Sequence, residues 1–154
     1  MKQVTIEEFI KELSQKQKQL ETEVGKAIAK SCAMIQSTAI KSMRDTQIDS
    51  EKSYYTHNKT IAHHPSMPYN PPAVDTGTLR RSITYKVDEE NLVGRVGSTL
   101  QNPPYGFYLE YGTTKNGKEI IKPRPWLRPA VKANYEEIKK LFASAVKVVI
   151  YDKR

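Results

Sequence analysis

The chain has 154 residues, 38% of them hydrophobic, and a mean hydropathy of −0.65, which allows one domain around one lean core. Its single cysteine, Cys32, excludes an internal disulfide, and no apolar run approaches the ~20 residues of a membrane-spanning helix. Net charge is +8, of which residues 115–154 carry +7, an excess that suits nucleic acid or an acidic protein partner, or simply solubility.

Thr5-Ile6-Glu7-Glu8 reads as a capping box, and Ile10, Leu13, Leu20, Val24, Ala27, Met34 and Thr38 then recur at steps of three and four. Gln17 and Ser31 fill the weak places of that seam. The spacing predicts one helix over about residues 6–44, with a bend allowed at Gly25. Such a helix is too long for a domain this small to cover. Its second half, "AIAKSCAMIQSTAIKSM", is rich in small residues that permit close approach. It is therefore expected to pack partly on its own sheet and partly on a neighbouring subunit, with Cys32 as a small packing residue. Glu7 and Glu8 stand where a signal peptide needs an apolar core, so synthesis and assembly in a cytoplasm are expected.

Residues 45–73 are polar, contain four prolines and keep no period, which predicts a flexible loop. His57, His63 and His64 lie there with Asp49 and Glu51, but adjacent histidines without a scaffold make poor metal ligands. No metal and no cofactor are expected. From Ser82 the period becomes two, with Ile83, Tyr85 and Val87 on one side. "DEEN" at 88–91 turns the chain into a returning strand at 92–98. Pro103-Pro104 opens a short helix, "YGFYLEYG", that puts Tyr105, Tyr108 and Leu109 on one side and ends at Gly112. Asn116-Gly117 marks a two-residue hairpin turn. A last helix over 126–150 takes Pro129 in its first turn and buries Leu127, Val131, Tyr135, Ile138, Phe142, Ala145 and Val149. The class is α+β: a long N-terminal and a C-terminal helix packed on a small antiparallel sheet of hairpins, with the sheet and a short helix in 74–125.

Val74-Asp75-Thr76-Gly77-Thr78 spells the half-site of an aspartic protease. That chemistry needs the tripeptide at the end of buried strands. Here it follows "PYNPP", which cannot form an interior strand, and precedes Arg80-Arg81. The structural alternative has Asp75 or Thr76 capping a helical turn, Gly77 in a left-handed conformation and Leu79 pointing inward. No catalytic residue is expected.

Four blocks in order carry a resemblance. They are Val74-Asp75-Thr76-Gly77-Thr78-Leu79-Arg80-Arg81-Ser82-Ile83; Val96-Gly97-Ser98; Tyr105 through Glu110-Tyr111-Gly112-Thr113; and Arg124-Pro125-Trp126-Leu127-Arg128-Pro129-Ala130. Together they resemble the tail-completion, or head–tail joining, family of minor tail proteins of long-tailed double-stranded DNA phages. Gly106 stands where that family usually has Ala, and Trp126 where it usually has Phe. The resemblance implies a non-enzymatic virion protein of a phage or prophage, assembled in the host cytoplasm. It implies a ring, a hexamer in the particle and a monomer when free, placed between connector and tail proteins with DNA passing through. Asp75, Thr76, Gly77, Leu79, Ser82, Tyr105, Tyr108, Glu110, Tyr111, Gly112, Thr113, Pro125, Trp126 and Pro129 are its motif and assembly residues. Some of Tyr105, Tyr108, Tyr111 and Trp126, with the Ala/Ser-rich half of the first helix, are expected at the subunit interface. The alternative is a basic nucleic-acid-binding protein using residues 115–154, whose charge Glu136-Glu137 interrupts.

Overall fold

The computed structural model describes residues 5–55, 62–101 and 104–151. His57 and Pro103, both singled out by the sequence, lie outside them. The long helix α1 (Ile6–Arg44) runs uninterrupted through Gly25. Its capping box is complete: Thr5 Oγ1 accepts the Glu8 N–H at 3.3 Å, and Glu8 Oε2 accepts the Thr5 N–H at 3.0 Å. At 1.5 Å per residue the helix is roughly 58 Å long.

Among the described residues, three antiparallel ladders of two strands each follow. Strand β1 (Tyr54–Tyr55) pairs with β2 (Ala62–His63), β3 (Ile83–Asp88) with β4 (Val93–Ser98), and β5 (Thr113–Lys115) with β6 (Lys118–Ile121). A one-turn helix, α2 (Thr78–Ser82), precedes β3. Helix α3 (Tyr105–Tyr111) lies between the second and third ladders, and α4 (Leu127–Tyr151) closes the chain. In the β3–β4 turn, the Asn91 side chain and N–H donate to Asp88 and hold its carboxyl below the usual range. Asn116 and Gly117, at φ 52° and 74°, form the turn that the Asn-Gly pair predicts.

Ala39, Met43, Leu79, Ile83, Leu109, Trp126 and Ala130 make the core, so it lies where the C-terminal end of α1 meets α3 and the start of α4. Asn134 Nδ2 donates to Thr38 Oγ1 at 2.9 Å. From that pairing α4 runs back along α1, burying Ala145 and Val149. Gln36 Nε2 donates to the Ile83 carbonyl at 2.7 Å and ties α1 to β3. Further along α1, a Cβ on Gly94 would collide with Cys32 Sγ and Ile28. The hairpin therefore approaches α1 closely there, and burial raises the Cys32 thiol pKa.

Four expectations are corrected or narrowed. The Ala/Ser-rich half of α1 packs on the chain's own sheet as expected, and Ala27, Ile28, Ser31, Cys32, Ala39 and Met43 are buried against the chain's own hairpin and α4. Small side chains allow close approach, and the chain uses that property internally. The stripe of α4 is displaced by one residue at its start. Ala130 and Asn134 face α1, whereas Val131 and Tyr135 are exposed, because the gap there admits only small or hydrogen-bonding side chains. Segment 45–73 is not without regular pairing. Besides β1–β2, an isolated bridge joins Ile48 to Ser66, and the Asp49 N–H donates to the Pro65 carbonyl at 2.7 Å. Strands of two residues are too short to leave a period in the sequence. Finally, Ser82 ends α2 rather than beginning the strand.

Candidate functional site

The four sequence blocks meet at one point, the Cα of Gly106. A Cβ there would lie 3.2 Å from Leu79 Cδ1, 3.3 Å from Ser98 Cβ and 3.3 Å from Trp126 Cζ2. The first block supplies Leu79 because Gly77, at φ 76°, turns the chain into α2. Gly77 is itself the N-cap residue, and just before it Thr76 Oγ1 accepts the Thr78 N–H at 3.4 Å. The Thr76 carbonyl accepts from Arg81 Nη1 at 2.9 Å. Ser82 Oγ donates to the Leu79 carbonyl and lies 2.7 Å from Ser98 Oγ, joining the first block to the second. From the fourth block, the Trp126 ring is 3% exposed and its Nε1 donates to the Gly106 carbonyl at 3.0 Å.

Beside this point Glu110 is inserted into the fold with only 6% of its side chain exposed. Its Oε2 accepts the N–H groups of Trp126 at 2.7 Å and Leu127 at 2.9 Å. Its Oε1 accepts the Arg128 N–H at 3.0 Å and Arg128 Nε at 2.9 Å. Arg128 Nη2 also donates to the Glu110 carbonyl at 2.9 Å. A helix begins with N–H groups that lack partners and with a partial positive charge. Glu110 satisfies them for α4, and Pro129 has no N–H to satisfy. Burial alone would raise the Glu110 pKa. The N–H groups of Leu127, Trp126 and Arg128, with the Arg128 guanidinium, outweigh it and hold the carboxyl below its ordinary value.

The outer face of α3 is aromatic. Phe107 and Tyr111 are more than half exposed, with ring centroids 4.8 Å apart, and the Arg128 guanidinium sits 4.7 Å from the Tyr111 centroid. Leu100, Phe107, Tyr111, Trp126 and Leu127 line a surface cavity of about 440 Å³ beside them. Tyr105 is exposed on another side of α3. Burial first, and then the Asp75 carboxylate, raise its phenol pKa. Tyr108 is half-buried, Gly112 caps α3 with its N–H donating to the Tyr108 carbonyl, Thr113 opens β5, and Pro125 is half-buried ahead of α4. Trp126 is thus a core residue that also borders this cavity from beneath, because the missing Cβ of Gly106 leaves room for an indole there.

Asp75 is set apart from this centre. Its Oδ1 lies 2.7 Å from His63 Nδ1, which links the first ladder to the Asp-Thr-Gly loop. That loop borders a second cavity of about 230 Å³, shared with Met43, Leu79 and Tyr105. His64 Nδ1 is 2.8 Å from the Lys52 carbonyl.

Sequence reasoning left Phe107, Arg128 and His63 out of the site. Phe107 could have been found from its i,i+4 spacing to Tyr111. Nothing in the sequence pairs Glu110 with Arg128, since the two are brought together across a hairpin.

The family model described as "Bacteriophage HK97-gp10, putative tail-component" matches residues 6–112. The match takes in α1, which none of the four blocks includes, and ends before the fourth block. No curated protein and no solved structure matches the chain.

Proposed function

The chain belongs to the HK97-gp10-like family of phage tail components, and we propose that within the particle it forms a ring, a hexamer, that completes the tail where it joins the head. On this reading it is not an enzyme. Its partners are further copies of itself and the adjoining connector and tail proteins, its place is the neck or tail of the virion after assembly in the host cytoplasm, and DNA passes through the ring. The observation that carries the reading is the unshared first third of α1. Residues 5–18 are exposed throughout, large apolar side chains included. A lone domain gains nothing from presenting such a face to water, whereas a subunit that completes its packing against neighbours does.

The test is the native mass of the purified chain at rising concentration, with and without the adjoining ring protein. A closed oligomer, formed alone or only on the partner, is expected. A monomer under every condition overturns the ring, and steeply salt-dependent binding to duplex DNA by that monomer would favour the nucleic-acid reading.

Asp75 is assigned to a junction and not to a catalytic dyad. Asp75→Asn is therefore expected to leave the chain as inert toward peptides at acid pH as the parent. Cleavage by the parent that disappears in the variant would restore the protease reading.

A further inference from the structure

We infer that the first turns of α1 dock, apolar face down, into the Phe107–Tyr111–Trp126 cavity of a second copy of this chain. The inference deepens the ring reading and rests on it. Ile6, Phe9, Ile10 and Leu13 stand at i, i+3, i+4 and i+7, the spacing with which an amphipathic helix fills a hydrophobic groove. All four are between 52% and 79% exposed. The cavity offers what such a face needs: Leu100, Phe107, Tyr111, Trp126 and Leu127 around about 440 Å³.

The two surfaces lie at opposite ends of the molecule. The cavity adjoins the core at the C-terminal end of α1, where Met43 and Trp126 sit. The apolar face lies on the other end, beyond the stretch that α4 covers. A continuous helix cannot bring its own first turns to a site beside its last, so the contact joins two chains. It is also head-to-tail: one surface of each copy meets a different surface of the next, the arrangement that generates rings.

Charge favours the same pairing. The first turns carry Glu7, Glu8 and Glu12 against Lys11. Arg128 and Glu110 both line the cavity and are paired with each other, so the charge left to meet these glutamates is that of Lys132, one turn along α4. Pairing one α1 with another in parallel would instead set three glutamates against three.

The test uses two full-length variants altered at exposed positions, Phe9→Asp/Ile10→Asp on the helix and Phe107→Asp on the cavity, with Tyr111→Asp as a second cavity variant. Melting curves check that each folds like the parent. Sedimentation velocity then follows self-association, with the adjoining ring protein added if the parent needs it. Each variant alone is expected to associate at least roughly tenfold more weakly than the parent. Mixed together, the helix variant and a cavity variant retain one intact joint and are expected to form one-to-one pairs that grow no further.

If the parent forms rings and the variants do so equally well, the docking mode is wrong and the ring stands. If the cavity variants associate normally and only the helix variant fails, the helix meets some other surface, such as a second α1, and the inference is overturned. A parent that stays monomeric throughout removes the ring reading and this inference with it.

Discussion

Replacing Glu110 with alanine is expected to cost about 3 kcal/mol of folding stability, since it strips the N–H groups at the start of α4 of their acceptor and leaves them in a buried site. For a domain of this size that is roughly 6–12 °C in Tm. Glu110→Gln keeps the shape and one acceptor oxygen but loses the charge, and should cost less. Acid titration separates the two contributions. The folded-state pKa of Glu110 lies below the unfolded value of 4.5, so below that value the unfolded chain binds the extra proton. This part of the stability is complete above about pH 4.5 and is lost as the pH falls through the lower, folded value. Asp45, Asp49 and Asp88 are depressed in the same direction. The glutamine variant should therefore have a shallower acid limb than the parent, not a flat one. Thermal melts from pH 7 to pH 3 measure it. An alanine variant as stable as the parent would show that α4 starts without help from Glu110.

Trp126→Ala is expected to cost about 4 kcal/mol, by emptying the core beside Met43 and Leu109 and leaving the Gly106 carbonyl without its indole donor. Trp126→Phe should cost less, and Gly106→Ala should cost about 1–2 kcal/mol, because its methyl group meets three neighbours inside ordinary contact distance. The two milder changes should compensate. A phenyl ring recedes from the place the methyl group takes, so the double variant Gly106→Ala/Trp126→Phe should be more stable than the sum of the single changes predicts. Chemical denaturation of the four chains gives the coupling directly. Strict additivity would mean that the glycine and the indole do not share one space.

Much of the architecture could be read from local signals. The Thr5–Glu8 box fixes where α1 begins, and Asn116-Gly117 can turn the chain in few ways. Pro104 and Gly112 bound a helix of seven residues. What escaped was decided by contacts between distant residues. The apolar stripe runs the length of α1, and the part left bare, residues 5–18, holds large side chains such as Phe9, Ile10 and Leu13. A reading weighted by hydrophobicity would have buried Phe9 and Ile10 before Ala39. Packing chose the second half because Ala27, Ser31 and Ala39 let the hairpin and α4 come near. The same cause moved the face of α4 from Val131 and Tyr135 to Ala130 and Asn134. Glu110 was noticed as a motif letter, but a lone glutamate on a short helix gives no sign that it will be buried, since its partners come 16 to 18 residues later in the chain.

That separation leaves an exposed hairpin between the clamp's two halves. Residues 111–123 leave and return through one narrow neck, where Glu110 grips Trp126 and the Arg124 N–H donates to the Leu109 carbonyl at 2.6 Å. The β5–β6 hairpin hangs from that neck, exposed from Thr114 to Ile120. At its base Ile121 packs against the core, and the Tyr69 N–H donates to the Pro123 carbonyl at 2.8 Å. Doubling such an excursion costs only about 0.6 kcal/mol in closure entropy. Among the described residues, the hairpin is therefore a stretch whose length and sequence can change while the body around Gly106 stays as it is.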